Sequence, residues 1–143
     1  MPTLFTRIID GELPGRFVWR DEHCVAFLSI QPIRPGHTLV VPRREIDHWN
    51  DMPAALNAHV FEVARKVSLA MRKGFGCQKV GLSIVGLEVR HAHLHLMQLD
   101  QPSDMDFARQ RKDVPAAEFD SAAATIRAAL RELGFAGAAQ RLD

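Results

Sequence analysis

Short apolar or alternating runs predict five β-strands along the chain. Phe17–Trp19 and Cys24–Ser29 are joined by a polar turn, which predicts a hairpin. The β-branched run His37–Pro42 and the apolar run Val80–Val85 predict two more strands. In His91–Met97, histidines alternate with apolar residues, which is the strand period.

Helical spacing of apolar residues marks three other stretches. Leu4–Ile9 predicts a short helix. A long helix is predicted after Asp51, which can cap it, and Gly74 marks its end. Its apolar stripe consists of Leu56, Val60, Val63, Val67 and Met71. An alanine-rich amphipathic helix is predicted from Pro115 to Gly134, with an apolar face of Phe119, Ala122, Ala123, Ile126, Leu130 and Leu133.

Composition limits the class of protein. With 143 residues, of which 47% are apolar, the chain fits one compact domain. A net charge of +1 gives no broad surface for nucleic acid or membrane. No apolar run approaches a transmembrane helix and the first residues lack a signal peptide, so a cytoplasmic protein is expected. Cys24 and Cys77 are expected to be buried thiols.

The three histidines of His91–Met97 should share one face of their strand, with apolar residues on the other. They admit three interpretations: a structural row, a metal site or nucleophilic catalysis. Along an extended strand His91 and His95 lie about 13 Å apart, too far to share one tetrahedral ion easily. In catalysis, a neutral imidazole attacks an electrophile while its neighbours fix its tautomer, which suits the central His93.

The pattern of histidine and apolar residues resembles the signature of the histidine triad (HIT) family of nucleotide hydrolases and transferases. The segment Gly36–Pro42 resembles a second family motif. Together the resemblance covers Leu4 to Gln98 and is nearest to the small, homodimeric Hint-like branch. We predict an α+β, HIT-like fold: a five-stranded antiparallel sheet, one long helix on the face away from the histidines, and a C-terminal helix. The resemblance implies a dimer.

The resemblance also implies roles for the histidines. His93 would attack the α-phosphorus of a nucleotide and form a nucleotidyl-histidine that water then cleaves. His91 and His95 would orient it and contact the phosphate, and His37 would support them from a neighbouring strand.

A nucleotide pocket is implied in the same way. Phe5, Ile8, Phe27 and Ile30 match positions that line the base, so a purine nucleotide or nucleotide conjugate is the expected ligand.

Gly86 opens the approach to the triad strand. Two positions depart from the family pattern: Ser29 replaces an aspartate that holds ribose hydroxyls, and Leu87 replaces a glutamine that binds the phosphate or leaving group. Some bacterial relatives bind zinc through an N-terminal cysteine pair. Here Leu4–Arg7 occupy that region, so we expect no metal and no cofactor.

Residues 1–100 are thus predicted to form a HIT domain. Residues 101–143 are predicted as a loop and a helix that packs on this domain or on the partner subunit. The predicted function is hydrolysis of nucleotide phosphoramidates or phosphoesters, or nucleotidyl transfer. The alternative is a nucleotide-binding or regulatory HIT protein with little turnover. A metal-dependent hydrolase is a third class, which a chelator would inactivate.

Overall fold

Residues 1–135 are described by a computed structural model of the chain. Residues 136–143, the end of the predicted C-terminal segment, lie outside the described residues. The described chain contains β1 (Phe17–Arg20), β2 (Cys24–Leu28), β3 (Thr38–Pro42), β4 (Lys79–Ser83) and β5 (Leu94–Leu99). These strands form one antiparallel sheet in the order β1-β2-β3-β5-β4. The predicted α+β fold with a five-stranded antiparallel sheet is confirmed.

Three α-helices lie within residues 1–135: α1 (Leu4–Ile9), α2 (Ala54–Phe75) and α3 (Ala116–Glu132). The long helix α2 covers one sheet face, where its buried stripe joins a core that includes Val40, Leu94 and Leu96. Because His95 lies between Leu94 and Leu96 in β5, its side chain points to the opposite face. The long helix therefore lies away from the histidines, as predicted.

A second and smaller apolar cluster covers the histidine face. Its buried members come from α1 and from the first three strands: Phe5, Ile9, Phe17, Val25, Phe27, Leu39 and Val41. Leu39 lies directly opposite His95 in the sheet, which places the cluster beside the triad. The short helix α1 thus forms a wall next to the histidines.

The ends of α2 differ from the prediction. Asp51 belongs to a separate 3-10 turn, Trp49–Asp51, and the residue that precedes the helix is Pro53. The helix also continues past Gly74 and ends before Gly76, whose φ of 67° is the left-handed conformation that commonly closes a helix. Gly74 was predicted as the end because glycine often ends helices, but here it allows α3 to approach closely.

The strand that carries the triad begins and ends later than predicted. β5 runs from Leu94 to Leu99, so His91 and His93 precede it, outside regular secondary structure. The Ala92 N–H donates to the Ile46 carbonyl at 2.7 Å, which pairs this segment with a loop and not with a strand. His91 and His93 still share one side, since both rings lie near Phe5, whereas Leu94 belongs to the core that α2 covers.

Helix α3 packs against α2 of its own chain through Ala122, Ala123, Ile126, Ala129 and Leu130. Leu133, predicted on the same face, follows the last helical residue and is 38% exposed. None of the helices within residues 1–135 combines the length and the hydropathy that crossing a bilayer requires.

The close contact of α2 with α3 predicts that replacing Gly74 by alanine lowers the stability of the protein. A Cβ on Gly74 would lie 2.7 Å from Thr125 Cγ2 and 3.2 Å from the Thr125 carbonyl oxygen. In an open helix, Gly→Ala would stabilise by about 1 kcal/mol. We expect Gly74→Ala instead to destabilise by about 1 kcal/mol, because the helices must separate. Urea unfolding measures this difference.

Thr125→Ser provides the matched background, because it removes Cγ2 and keeps the hydroxyl. The penalty of Gly74→Ala should shrink there. Equal stabilisation by alanine in both backgrounds would show that the two helices are not in close contact at Gly74.

Candidate active site

Four histidines lie together on the sheet face beside α1. His37 and His91 are fully buried, and His93 and His95 are 6% and 8% exposed. The ring centroids of His93 and His95 are 4.8 Å apart, and those of His37 and His95 are 5.2 Å apart. Imidazoles removed from water need partners for their nitrogens, so the hydrogen bonds of this cluster determine its chemistry.

A chain of hydrogen bonds fixes the proton positions of His37 and His95. The Ile33 N–H donates to Nδ1 of His37 at 3.0 Å, so that nitrogen carries no proton in the neutral ring. Nε2 of His37 is then the donor to Nδ1 of His95, at 2.9 Å. It follows that the proton of neutral His95 is on its own Nε2.

His93 has the opposite arrangement. Its Nδ1 lies 2.7 Å from the carbonyl oxygen of His91, which can only accept, so Nδ1 carries the proton. Nε2 of His93 therefore has a free lone pair. The His91 ring is held by the Pro42 carbonyl, 2.7 Å from its Nε2, and by Thr3 Oγ1, 2.7 Å from its Nδ1.

Six of the eight ring nitrogens in this cluster thus have a protein partner. The other two are Nε2 of His93 and Nε2 of His95. Among the described residues, Asn57 Oδ1 is the one buried side-chain polar atom without a hydrogen-bond partner. The two Nε2 atoms are therefore accessible to solvent. The cluster therefore presents one lone pair and one N–H on neighbouring rings.

Burial keeps these rings neutral. Desolvation, reinforced by the nearby His93, lowers the pKa of His37 to about 4. Desolvation, with His93 and His37 beside it, lowers the pKa of His95 to about 3. Desolvation also lowers the pKa of His93, although the hydrogen bond to the His91 carbonyl opposes the shift. The same cause lowers the pKa of His91, against the Pro42 hydrogen bond and the charge of Glu45.

The turn that carries Ile33 is held by Arg34. The Arg34 guanidinium donates to Asp100 and to the almost fully buried Asp104, each at 2.9 Å. It also donates to Gln98 Oε1 at 3.3 Å, and the Gln98 amide donates to the Pro35 carbonyl at 2.7 Å. These contacts join the turn to the end of β5, so the Ile33 N–H is kept in line with His37.

The predicted base-pocket residues lie in different environments. Phe5 and Phe27 are buried and stack edge to face, with centroids 5.6 Å apart. Phe5 also meets His93 edge-on at 4.7 Å. Ile8 is half-buried and lines a cavity of about 260 Å³ with Phe17. Ile30 is 74% exposed, so the structure does not bring it into the buried apolar cluster.

The three remaining predicted residues lie outside the helices and strands. Ser29 is 9% exposed, and its Oγ accepts the N–H of Gln31 at 3.2 Å. Gly86 has a φ of 72°, a conformation that favours glycine, and the adjacent Leu87 is 83% exposed. An exposed leucine gives no hydrogen bond to a phosphate or leaving group.

Sequence reasoning missed two residues whose side chains contact the cluster. Phe107 lies in a 3-10 turn, edge-on to His95 at 4.8 Å and to His37 at 6.2 Å. It is the one aromatic residue in the otherwise polar stretch 101–114, which was the available signal. Thr3, the partner of His91, gave no signal beyond its position before a short helix.

One group of described residues, Asp21, Cys24 and His59, has the composition of a metal site. Their potential ligand atoms all lie within 4.8 Å of one another. The Asp21 carboxylate already accepts hydrogen bonds from Trp19 and His59 side chains and from two backbone N–H groups. Desolvation, with the Asp21 charge beside it, also raises the pKa of the Cys24 thiol well above its usual range. A protonated thiol is a poor metal ligand, and the oxygens of this carboxylate already accept hydrogen bonds. The group is therefore better explained as a hydrogen-bonded hairpin turn than as a metal site.

Known proteins resemble both the sequence and the fold. The HIT domain family model matches residues 10–101. An uncharacterized HIT-like protein of Methanocaldococcus jannaschii is 34% identical over 98 residues, which cover 66% of this chain and 76% of that protein.

Solved structures show the same architecture. A Zn-bound histidine triad family protein from Mycobacterium smegmatis has a TM-score of 0.79 at 26% identity, covering 92% of this chain and 94% of the other. For a hypothetical histidine triad nucleotide-binding protein from Sulfolobus tokodaii the TM-score is 0.77 at 27% identity, covering 90% and 92%. For a HIT family hydrolase from Legionella pneumophila it is 0.59 at 32% identity, covering 70% and 95%.

The buried histidines predict an acid-sensitive fold. Their pKa values are lowered in the folded state, so between pH 6.5 and 5 the unfolded chain binds protons that the native protein does not. Stability is therefore complete above pH 6.5 and is lost as pH falls, by about 2 to 4 kcal/mol at pH 5 for His37 and His95 together. Urea unfolding at several pH values measures the loss.

His95→Gln is the informative variant, because its amide oxygen can still accept from Nε2 of His37 while one titrating group is gone. Its stability should fall less steeply between pH 6.5 and 5. An unchanged or rising stability of the wild type over that range would contradict the assignment of neutral buried rings.

Proposed function

Because the chain belongs to the histidine triad (HIT) family, we propose that it is a nucleotide hydrolase or transferase that forms a nucleotidyl-histidine on His93. Family membership and the resemblance to a HIT family hydrolase support nucleotide hydrolase or transferase function in general. The specific proposal rests on one observation: Nδ1 of His93 is bound to the His91 carbonyl, which leaves Nε2 as a free lone pair.

The first step would be attack on the α-phosphorus of a nucleotide phosphoramidate or phosphoester. A bond forms between Nε2 of His93 and phosphorus, and the bond from phosphorus to the leaving nitrogen or oxygen breaks with its electron pair. The leaving group gains a proton from solvent. The neutral His95 ring neighbours His93, which supports a role for its Nε2–H as a hydrogen-bond donor to the phosphate.

In the second step, water attacks the phosphorus and releases one proton to solvent, and the N–P bond breaks with its electron pair returning to Nε2 of His93. A nucleoside monophosphate leaves, and His93 returns to its neutral form. If another nucleophile replaces water, the same intermediate gives nucleotidyl transfer. Buried His91 contributes its carbonyl, and His37 contributes the proton position of His95, so both are positioning residues in this scheme.

A purine nucleotide is the proposed ligand. Phe5 presents an apolar ring beside His93, and Phe27 packs behind it, which supports a base site on this wall. From the family resemblance we also assign Ile8, Ile30 and Ser29 to the base and ribose part of this site and Gly86 and Leu87 to its phosphate side. The expected homodimer and cytoplasmic location stay predictions of the sequence.

One observation favours the alternative, a nucleotide-binding protein with little turnover. Leu87 is apolar and 83% exposed where the family resemblance expects a polar contact. Loss of one polar donor to a developing charge can cost about 100-fold or more in rate. The two functions differ in whether His93 is needed: turnover requires it, and binding tolerates its loss.

The first experiment is single-turnover mixing with an adenosine phosphoramidate, quenched and read by intact mass. We expect a nucleotidyl adduct on the wild type and none on His93→Ala, since only a nucleophile at this position can hold the phosphorus. His23→Ala is the matched control, because His23 is exposed in the hairpin turn and lies outside the cluster. It should form the adduct at the wild-type rate.

Calorimetry with a purine monophosphate completes this test. Binding without adduct or product would support the regulatory alternative. Wild-type turnover by His93→Ala would falsify the nucleophile assignment. Absence of binding at millimolar nucleotide would remove the proposed base site.

The pH dependence of the rate provides a second test. The neutral imidazole is the nucleophile, and the pKa of His93 is lowered by burial from the ordinary 6.5. Activity should therefore stay constant from pH 8 to 6.5 and fall below it, whereas an unperturbed histidine would give a midpoint near 6 to 7. Values of kcat/KM from pH 4.5 to 8 locate the midpoint, with circular dichroism to monitor folding. A midpoint above 7 would contradict a buried neutral nucleophile.

A further inference from the structure

The hydrogen bonds of His91 continue beyond the histidine cluster. The Pro42 carbonyl can only accept, so Nε2 of His91 carries the proton. Nδ1 of this fully buried, neutral ring is then an acceptor, and the Thr3 hydroxyl at 2.7 Å is its donor. A single hydroxyl therefore satisfies the last nitrogen of His91.

That hydroxyl belongs to the N-cap of α1. Thr3 Oγ1 accepts the N–H of Thr6 at 3.1 Å, as N-cap residues do. In a capping box, a side chain of the third helical residue would accept the N–H of the cap. Here Glu45, 42 positions away, does so: its Oε1 accepts the Thr3 N–H at 2.8 Å and the Thr6 hydroxyl at 2.6 Å. We call Thr3, Thr6, Glu45 and His91 the α1 network.

The α1 network reaches the proposed nucleophile by two routes. The His91 carbonyl accepts from Nδ1 of His93 at 2.7 Å. On the same turn of α1, the Phe5 ring lies against His93 at 4.7 Å and against His91 at 5.8 Å. The carbonyl fixes the tautomer of His93, and the phenyl ring limits the rotation of its imidazole.

We propose that Thr3 and Glu45 are positioning residues, which fix His91 and hold Phe5 against His93 so that Nε2 of His93 stays directed at the substrate. This inference rests on the proposed function of His93. It assigns roles to a threonine and an exposed glutamate that do not touch the reacting atoms. The cap of a short helix would then be part of the catalytic apparatus.

The test compares two variants of Thr3. Thr3→Val has nearly the same shape and lacks the hydroxyl, whereas Thr3→Ser keeps it. We expect the rate of adduct formation to fall about 10-fold in Thr3→Val, the lower end of the range for residues that orient catalytic groups. In Thr3→Ser it should stay within about 2-fold of the wild type, because the donor to Nδ1 remains.

Glu45 has its own series. Glu45→Leu removes the acceptor of both donors and should slow adduct formation, while Glu45→Gln keeps an oxygen acceptor and should preserve most of the rate. Glu22→Leu is the matched control, because Glu22 is an exposed glutamate in the hairpin turn. It should have no effect. Thermal unfolding of each variant separates slow chemistry from loss of fold.

Nitrogen NMR of the histidine rings supplies a readout independent of turnover. In the wild type, His91 should show a protonated Nε2 and a hydrogen-bonded Nδ1, and His93 a single tautomer with protonated Nδ1. Thr3→Val should shift Nδ1 of His91 and give His93 a mixture of tautomers. Unchanged ring resonances, or equal rates in wild type, Thr3→Val and Glu45→Leu, would overturn the inference.

The outcomes also separate this inference from the proposed function. If the wild type forms no adduct but the ring resonances change in Thr3→Val, the proposed function fails and the positioning of His91 and His93 stands. If the wild type forms the adduct and Thr3→Val and Thr3→Ser slow it equally, the proposed function stands and the role of the Thr3 hydroxyl fails.

Discussion

Burial of four imidazoles is the constraint on which the site depends. A histidine removed from water must give each ring nitrogen a partner, or the fold loses free energy for every one left unpaired. The protein meets this demand at six nitrogens, with the Ile33 amide, the His91 and Pro42 carbonyls and the Thr3 hydroxyl at the ends of the chains. Each partner also determines which nitrogen of the ring carries the proton. The hydrogen bonds that stabilise the buried rings therefore also set their chemical character.

The two nitrogens left open have complementary character. His93 offers a lone pair and the neighbouring His95 an N–H, because the hydrogen-bond chains that reach them begin with opposite groups. One starts at a carbonyl acceptor and the other at an amide donor. Neutral rings are needed for this pattern, and desolvation lowers the pKa of all four histidines.

The architecture supports this cluster from both sides of the sheet. On one face, α2 packs on Leu94 and Leu96 of β5, and α3 packs on α2. On the other face, α1 contributes Phe5 to a small apolar cluster and Thr3 to the hydrogen-bond network. The turn held by Arg34 supplies the third element, the Ile33 amide. Three segments that are distant in sequence therefore converge on one strand end.

The spacing of apolar residues predicted the five strands and the three α-helices. A strand or helix that buries one face repeats apolar residues with its own period, which can be read from the sequence. The ends of elements were less predictable. Asp51 has a capping side chain but lies in a separate turn, and Gly74 is a helix breaker by type but here admits a neighbouring helix. Those outcomes depend on packing, which local sequence does not contain.

The alternation of histidines with apolar residues also placed three imidazoles on one side of their segment, and that much follows from backbone geometry alone. Which nitrogen carries each proton was decided only by the tertiary structure. The partners of these rings include Thr3, 88 positions from His91, and His37, 58 positions from His95. A proton position depends on what the folded chain brings within 3 Å, and no periodicity in the sequence records that.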